Sequence, residues 1–425
     1  MKTDILIVGC GVSGLYCALN LPRNKNITVI TKVSAEESDS FLAQGGICVL
    51  KSEDDYDSFF EDTMRAGHYE NNPESVDIMI RSSREVIADL AELGASFEKD
   101  GDSYAYTREG AHSKPRILFH EDETGKEITS HLLEAVRKLD NVTLIEHYTM
   151  IDIICSENEC FGIVGRNSDG EYSEIFADYT VLATGGIGGL FEHSTNFRHL
   201  TGDSLAVALK HDIKLRHIDY IQIHPTTFYS EGTEERKFLV SESVRGEGAV
   251  LLNSKGERFV NELLPRDVVT AAIYKEMERE GTKHVRLSLA AIPEDTIKAH
   301  FPNIYKYCKD SGYDITQECI PVVPAQHYFM GGIDVDKYSK TSMNRLYAVG
   351  ETACNGVHGK NRLASNSLLE SLVFAKRAAH RIAENYLPLP TDVPQAPEAD
   401  IYENYEADYR AAVLSAIEKE KQSHE

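Results

Sequence analysis

The sequence predicts an α/β protein: a Rossmann-like domain carrying a β-meander, interrupted by an inserted α+β capping domain and followed by a short helical C-terminal segment. Three observations predict it. Asp4-Ile5-Leu6-Ile7-Val8 is an unbroken apolar run that enters Gly9, Gly11 and Gly14 at G-x-G-x-x-G spacing, with a second apolar run at Ile27–Thr31. Residues 141–184 change to short strands with turns at Glu157–Glu159 and Ser168-Asp169-Gly170. Residues 218–328 mix helical patterns with charged loops and never return to a strand–helix–strand rhythm.

The first apolar run has no polar alternation, as expected of a parallel strand buried on both faces. Ser13 to Leu21 reads as helix, stopped by Pro22. The glycines allow a tight turn and let the backbone reach a pyrophosphate at a helix N-terminus. After a loop from Ser34 to Gly46, helices are expected near 56–66 and 74–93, the second ending at Gly94. Thr124-Gly125-Lys126-Glu127 reads as a capping box ahead of a helix through Lys138. Val181-Leu182-Ala183-Thr184-Gly185-Gly186 closes the meander as a buried strand running into a glycine turn, and Leu346-Tyr347-Ala348-Val349-Gly350 repeats that pattern. Leu368, Leu372, Ala375, Ala379, Ile382 and Tyr386 form one face of a helix from Ser367, with Asn366 as its N-cap. Residues 388–400 hold four prolines and read as a linker, and the last 25 residues as a charged amphipathic helix. The organisation expected is therefore 1–217 and 329–387 as two parts of a nucleotide-binding domain, 218–328 as a cap, and 388–425 as a linker with a truncated helical segment.

Composition excludes several classes. The net charge of −24 over 425 residues repels nucleic acid and anionic membranes, so neither is an expected partner. No apolar run of about 18 residues is present, so no membrane span is expected. The chain enters a strand within four residues, which leaves no room for a signal peptide. Eight scattered cysteines without metal-ligand spacing read as reduced thiols of a cytoplasmic protein, with no metal expected; Cys155 and Cys160 could meet only across a hairpin. An anionic substrate would need a site that gathers its own positive charge.

The nucleotide fingerprint departs from pattern in one respect. Where an acid usually ends the second strand to hold a ribose, Thr31-Lys32 stands, so Lys32 or backbone groups are expected there. Further glycine turns at 43–46, 184–189 and 350–351 favour a long flavin dinucleotide, FAD, over a nicotinamide one, with Glu351 offered as a ribose ligand. Cations and imidazoles recur in Gly/Pro-shaped settings: His224 at a strand end before Pro225, Arg245 before Gly246-Glu247-Gly248, Arg266 after Pro265, His327 before Tyr328, and Arg362 after Gly359-Lys360-Asn361. Taken singly, each is more often a structural histidine or a surface ion pair.

Taken together, Ala43-Gln44-Gly45-Gly46, His224-Pro225, Arg245-Gly246-Glu247-Gly248, Pro265-Arg266-Asp267, His327-Tyr328-Phe329-Met330-Gly331-Gly332 and Asn361–Leu368 resemble, in order, the flavoprotein family of succinate dehydrogenase, fumarate reductase and L-aspartate oxidase. The resemblance covers residues 1 to about 390 and implies a FAD-binding Rossmann-like domain with an inserted cap. It is nearest to the aspartate-oxidising branch. The histidine that binds FAD covalently in the respiratory branch is Asp39 here, which implies non-covalent FAD. Thr107-Arg108-Glu109-Gly110-Ala111-His112-Ser113 resembles the aspartate-oxidising loop, where the respiratory branch has a glutamine near Glu109; a carboxylate there suits a substrate that carries an ammonium.

The same resemblance implies FAD contacts at Gly9, Gly11, Val12, Ser13, Gly14, Lys32, Asp39, Ser40, Phe41, Leu42, Ala43, Gln44, Gly45, Gly46, Asp203, Glu351, Ser367 and Leu368. It implies catalytic roles for Glu109, His224, Arg266, His327 and Arg362, and substrate contacts from Gln222, Ser241, Glu242 and Arg245. Arg362 and the two histidines would fix carboxylates, and Arg266, oriented by Asp267, would be the acid/base candidate. The implied reaction is oxidation of L-aspartate to iminoaspartate with O2 or fumarate as acceptor, the first step of NAD synthesis through quinolinate, with quinolinate synthase as a possible partner. A fumarate reductase or succinate dehydrogenase flavoprotein, and a catalytically silent FAD-binding subunit, stay open at this point.

Overall fold

A computed structural model describes residues 1–231, 236–397 and 399–424, the last range without the side chains of 399 and 400. The apolar run at the N-terminus becomes the strand Lys2–Val8, with Ile5, Leu6 and Ile7 wholly inaccessible to solvent. It lies between Ile27–Ile30 and Tyr172–Leu182, both parallel to it, with Val142–Ile145 beyond Ile27–Ile30. The far half of Tyr172–Leu182 pairs in parallel with Leu346–Ala348, and its near half is antiparallel to Glu159–Arg166. Thr149–Ser156 completes the expected meander. Apolar clusters cover both faces of this seven-stranded sheet, which explains why its inner strands lack polar alternation.

The helices Val12–Asn20 and Ser367–Glu384 pack together on one face of the sheet. That packing sets both of their N-termini against the C-terminal ends of the parallel strands, where α/β sheets bind ligands. A second, antiparallel sheet runs in the order Ile221–Phe228, Ile320–Phe329, Val285–Ser288, Val250–Leu252. It has its own apolar cluster, including Val244, Leu251, Val269, Ile273 and Val322. The helix Arg266–Glu280 packs on this sheet and begins at the cavity described below.

Four local expectations are corrected. Thr124 is the first residue of its helix and not a cap: its hydroxyl donates to the Gly45 carbonyl at 3.1 Å, and Glu127 accepts from Ser96 instead of closing a capping box. Asn366 occupies the N-cap position, but its amide turns away and donates to the Thr63 hydroxyl at 3.2 Å. His224 sits inside the strand Ile221–Phe228, at an irregular register, and not at its end. The proline-bearing segment after 388 is no free linker: the Leu389 N–H donates to Asp178 at 2.8 Å, and Leu389, Tyr402 and Tyr405 pack on Ile151, Ile154 and Phe161. Apolar side chains spaced between the prolines give that segment its anchor. The final helix, Tyr405–Ser423, buries Val413 and Ile417 in the cluster beneath the sheet. Among the described residues no helix is long and apolar enough to cross a membrane.

Candidate active site

A cavity of about 430 Å³ runs from the glycine turn after the first strand to the second sheet. One end is lined by Gly9, Gly11, Val12, Ser13, Lys32, the 37–46 loop, Asp203, Glu351, Ser367 and Leu368; the other by Glu109, His224, Ser241, Glu242, Arg266, His327 and Arg362. The structure thus brings residues from well over 300 positions of sequence into one wall. Gly14 stands behind the turn, where a Cβ would lie 2.1 Å from the Gly9 carbonyl oxygen. Gly9, at φ +117°, would set a Cβ 2.0 Å from the Ala183 oxygen.

The first end fits a dinucleotide. Its backbone approaches closely because the glycines leave no room for side chains, and the helix behind Gly11 has no side-chain cap. Lys32 reaches Asp203 at 2.9 Å, placing an acid where the second strand lacks one. Ser38 Oγ, Asp39 Oδ2 and Gln44 Oε1 are buried here with no hydrogen-bond partner among the described residues, as expected of groups that face a ligand. Asp39 Oδ1 accepts the Phe197 N–H at 2.9 Å. Burial pushes the Asp39 carboxyl up to about 7 against the pull of that N–H and of Arg236. Burial, with the Asp39 charge, pushes Glu351 up to about 8 while it accepts the Phe329 N–H at 2.9 Å.

The other end is built from opposed charges. Arg266 donates from Nε to Glu242 at 2.6 Å and from Nη1 to Gln222 Oε1 at 2.9 Å. Asp267, expected to orient Arg266, instead pairs with His68 at 2.9 Å, because the helix turn points it outward. Burial alone would raise the Glu242 carboxyl, but Arg266 and Arg245 outweigh it and hold the group below its usual range. Arg362 donates to Ser367 Oγ at 2.8 Å and to Gln222 Oε1 at 3.3 Å, and its guanidinium lies 4.4 Å over the Tyr328 ring. Burial and the Arg266 charge bring Arg362 down to about 10.

His224 and His327 meet edge to face, ring centres 5.1 Å apart. Both are held well below the usual histidine range, by burial first and then by Arg266. His224 Nδ1 lies 3.2 Å from the Thr226 N–H and 3.1 Å from the Thr226 carbonyl, while Nε2 is a buried atom without a partner among the described residues. His327 Nδ1 is held by Thr195 Oγ1 at 2.7 Å.

Gln222 and Arg245 stand behind the wall and not in it. Gln222 ties Arg266 to Arg362, while Arg245, fully buried, donates to the Glu262 carbonyl at 2.6 Å and faces Glu242 at 3.6 Å. Ser241 lines the cavity and caps the short helix Glu242–Gly246 by accepting the Ser243 N–H.

Glu109 accepts from Ser243 Oγ at 2.8 Å and Ser365 Oγ at 2.5 Å and, among the described residues, from no cation. Burial and the Glu242 charge raise its carboxyl. Its loop is pinned by a buried pillar: Arg116 binds Asp55 at 3.1 Å and Asp62 at 2.8 Å and donates to His112 Nδ1 at 3.0 Å, and His112 Nε2 donates to the Ala364 carbonyl at 3.0 Å. Sequence reading missed this pillar, as well as Ser243, Ser365, Thr195 and Tyr328. Arg116, Asp55 and Asp62 look like surface charge in one dimension. Ser365 gave a faint signal, lying inside the Asn361–Leu368 motif; its left-handed φ of +61° appears only in the fold.

Fold and site together define a flavoprotein: a model of the FAD-binding domain family matches residues 4–368, and the chain belongs to that family and binds FAD. Two relatives refine this. The chain is 52% identical over 89% of its length to an L-aspartate oxidase of Clostridium perfringens, of which it covers 86%, and 51% identical over 90% to one of Clostridium acetobutylicum, of which it covers 88%. Among solved structures it resembles an E. coli quinol fumarate reductase with a TM-score of 0.85 at 28% identity, covering 99% of this chain and 74% of that one.

Proposed function

We propose that this protein oxidises L-aspartate to iminoaspartate and passes the electrons to O2 or fumarate. The observation that carries the reading is Glu109: a buried carboxylate held by two serines and, among the described residues, by no cation, in a wall that also holds Arg362 and the Arg266–Glu242 pair. Such a wall matches two carboxylates and one ammonium. A plain dicarboxylate would leave Glu109 as an uncompensated charge.

FAD, when bound, supplies a hydride acceptor at one face of the substrate. The protein's part is to bind and orient. Among the described residues Arg362 uses two of its five N–H donors, and it offers the rest to one carboxylate, held planar against Tyr328. Beside it the neutral His224 leaves its Nε2 free among the described residues, and His327 is fixed by Thr195. Arg266, fastened by Glu242 and Gln222, directs its remaining N–H groups into the cavity and supplies the proton when fumarate is reduced. Aspartate oxidation asks less of Arg266, since the departing proton comes from the substrate's own amine. The likeness to a fumarate reductase favours a single site for both directions.

In this reading residues 218–328 form a cap over the substrate end, with 1–217 and 329–387 holding FAD, bound without a covalent link because Asp39 offers no nucleophilic nitrogen. Iminoaspartate then feeds quinolinate and NAD synthesis, by hand-over to quinolinate synthase in the cytoplasm; eight free cysteines agree with a reducing compartment. The test is anaerobic bleaching of the flavin by aspartate or succinate, in the wild type and in Glu109→Gln. Aspartate should bleach the wild type and succinate should not. Glu109→Gln should lose roughly 1–3 kcal/mol toward aspartate and spare fumarate reduction. Equal loss of both activities would make Glu109 structural and sink the reading.

A further inference from the structure

A second group of reactive side chains lies outside the cavity wall. Cys155 Sγ is 3.2 Å from His211 Nδ1, and His211 Nε2 donates to Asp152 Oδ1 at 2.6 Å. Asp152 is fully buried; its other oxygen accepts from Lys210 Nζ at 2.6 Å and from the Tyr402 hydroxyl at 2.8 Å. The order is nucleophile, imidazole, orienting carboxylate, and the carboxylate fixes the ring so that its second nitrogen faces sulfur. Burial would favour the neutral ring, but Asp152 and then Cys155 outweigh it and raise His211 to about 9. An imidazolium at this distance stabilises a thiolate. Cys155 is half-buried, within reach of a small solute.

A second thiol stands opposite. Cys155 and Cys160 are partners across the hairpin whose turn is Glu157-Asn158, both residues at left-handed φ. The Cys160 N–H donates to the Asn344 carbonyl at 3.0 Å and not across the hairpin. The pair is therefore of the non-hydrogen-bonded kind, with Cα atoms about 4.5 Å apart, inside the range of roughly 4.4–6.8 Å that a disulfide spans. Both side chains meet the same apolar cluster, so they lie on one face of the sheet.

We propose that Cys155 is a peroxide-reactive thiol and Cys160 its resolving partner. The Cys155 thiolate attacks one oxygen of hydrogen peroxide; an S–O bond forms, the O–O bond breaks, and the departing hydroxide takes a proton from His211 to leave as water. Cys160 then attacks the sulfur of the sulfenic acid; an S–S bond forms, the S–O bond breaks, and the hydroxide leaves with the Cys160 proton as a second water. Two thiols lose two electrons and one peroxide becomes two waters. Burial pushes the Cys160 thiol up to about 11.

The test treats the holoenzyme with hydrogen peroxide, quenches with an alkylating reagent and maps the peptides by mass spectrometry. Added peroxide makes the outcome independent of which substrate the flavin oxidises. Cys155 should react well before Cys319, a half-buried thiol that serves as internal reference, and end linked to Cys160. Cys160→Ser should accumulate a dimedone-reactive sulfenic acid at Cys155. His211→Asn should slow Cys155 oxidation about tenfold or more. Reaction of Cys155 in the wild type no faster than Cys319 overturns the proposal without any variant, and so does an unchanged rate in His211→Asn.

Discussion

Glu242 holds Arg266 by its Nε atom at 2.6 Å, with both side chains buried in the cavity wall. The carboxylate sets the plane of the guanidinium, so the proton-bearing end of Arg266 has one direction in which to act. Arg266→Leu should therefore abolish fumarate reduction, which needs a proton donor. Aspartate oxidation should suffer mainly at subsaturating substrate. Saturation curves for both activities on one variant decide this. Survival of fumarate reduction with loss of aspartate oxidation at every concentration would move the proton-transfer role to His224 or His327.

Arg362 combines a fork of donors with a flat face on Tyr328, and lysine keeps neither. Arg362→Lys should lose roughly 2–5 kcal/mol of transition-state binding, as expected when a desolvated charge pair is broken, while FAD stays bound. The ratio of kcat/KM values, with the flavin spectrum as control, measures it. Near-normal turnover would place Arg362 outside the site.

Asp39 accepts the Phe197 N–H and faces the cavity from the 39–46 loop. A carboxylate there forms no stable bond to a flavin ring. Acid precipitation should leave a colourless pellet under a yellow supernatant; a pellet that stays yellow after washing refutes the non-covalent reading.

His112 is a buried base brought down to about 4, by burial first and then by Arg116, from an ordinary value of 6.5. Between these values the folded ring is neutral and the unfolded one protonated, so unfolding takes up a proton. Stability from His112 is present above pH 6.5 and is lost as the pH falls toward about 4, at about 1.4 kcal/mol per pH unit. Glutamine can accept from Arg116 and donate to Ala364 as His112 does, without titrating. His112→Gln should flatten the acid limb of the stability–pH curve by one proton; an unchanged slope in denaturant titrations from pH 7 to 5 would contradict this.

The sequence by itself determined the parts whose cause is local or periodic. The apolar run into Gly9, Gly11 and Gly14 needed no partner to be read as a strand and nucleotide turn, because burial on both faces and close backbone approach each leave a compositional mark. The Arg and His motifs were legible because Gly and Pro flank them. The tertiary structure alone decided which charges meet. Asp267 and Glu242 are equally plausible partners for Arg266 in one dimension; the helix turn sends the first to His68, and the short helix Glu242–Gly246 brings the second to 2.6 Å. Arg116, Asp55 and Asp62 resemble surface charge until the fold closes around them, and Cys155 gains His211 only when Asp203–Lys210 packs beside the meander. Apolar burial follows from composition and period, so sequence reports it. Hydrogen-bonded charge pairs depend on angles and separations of a few ångströms between distant segments, and only the assembled fold sets those.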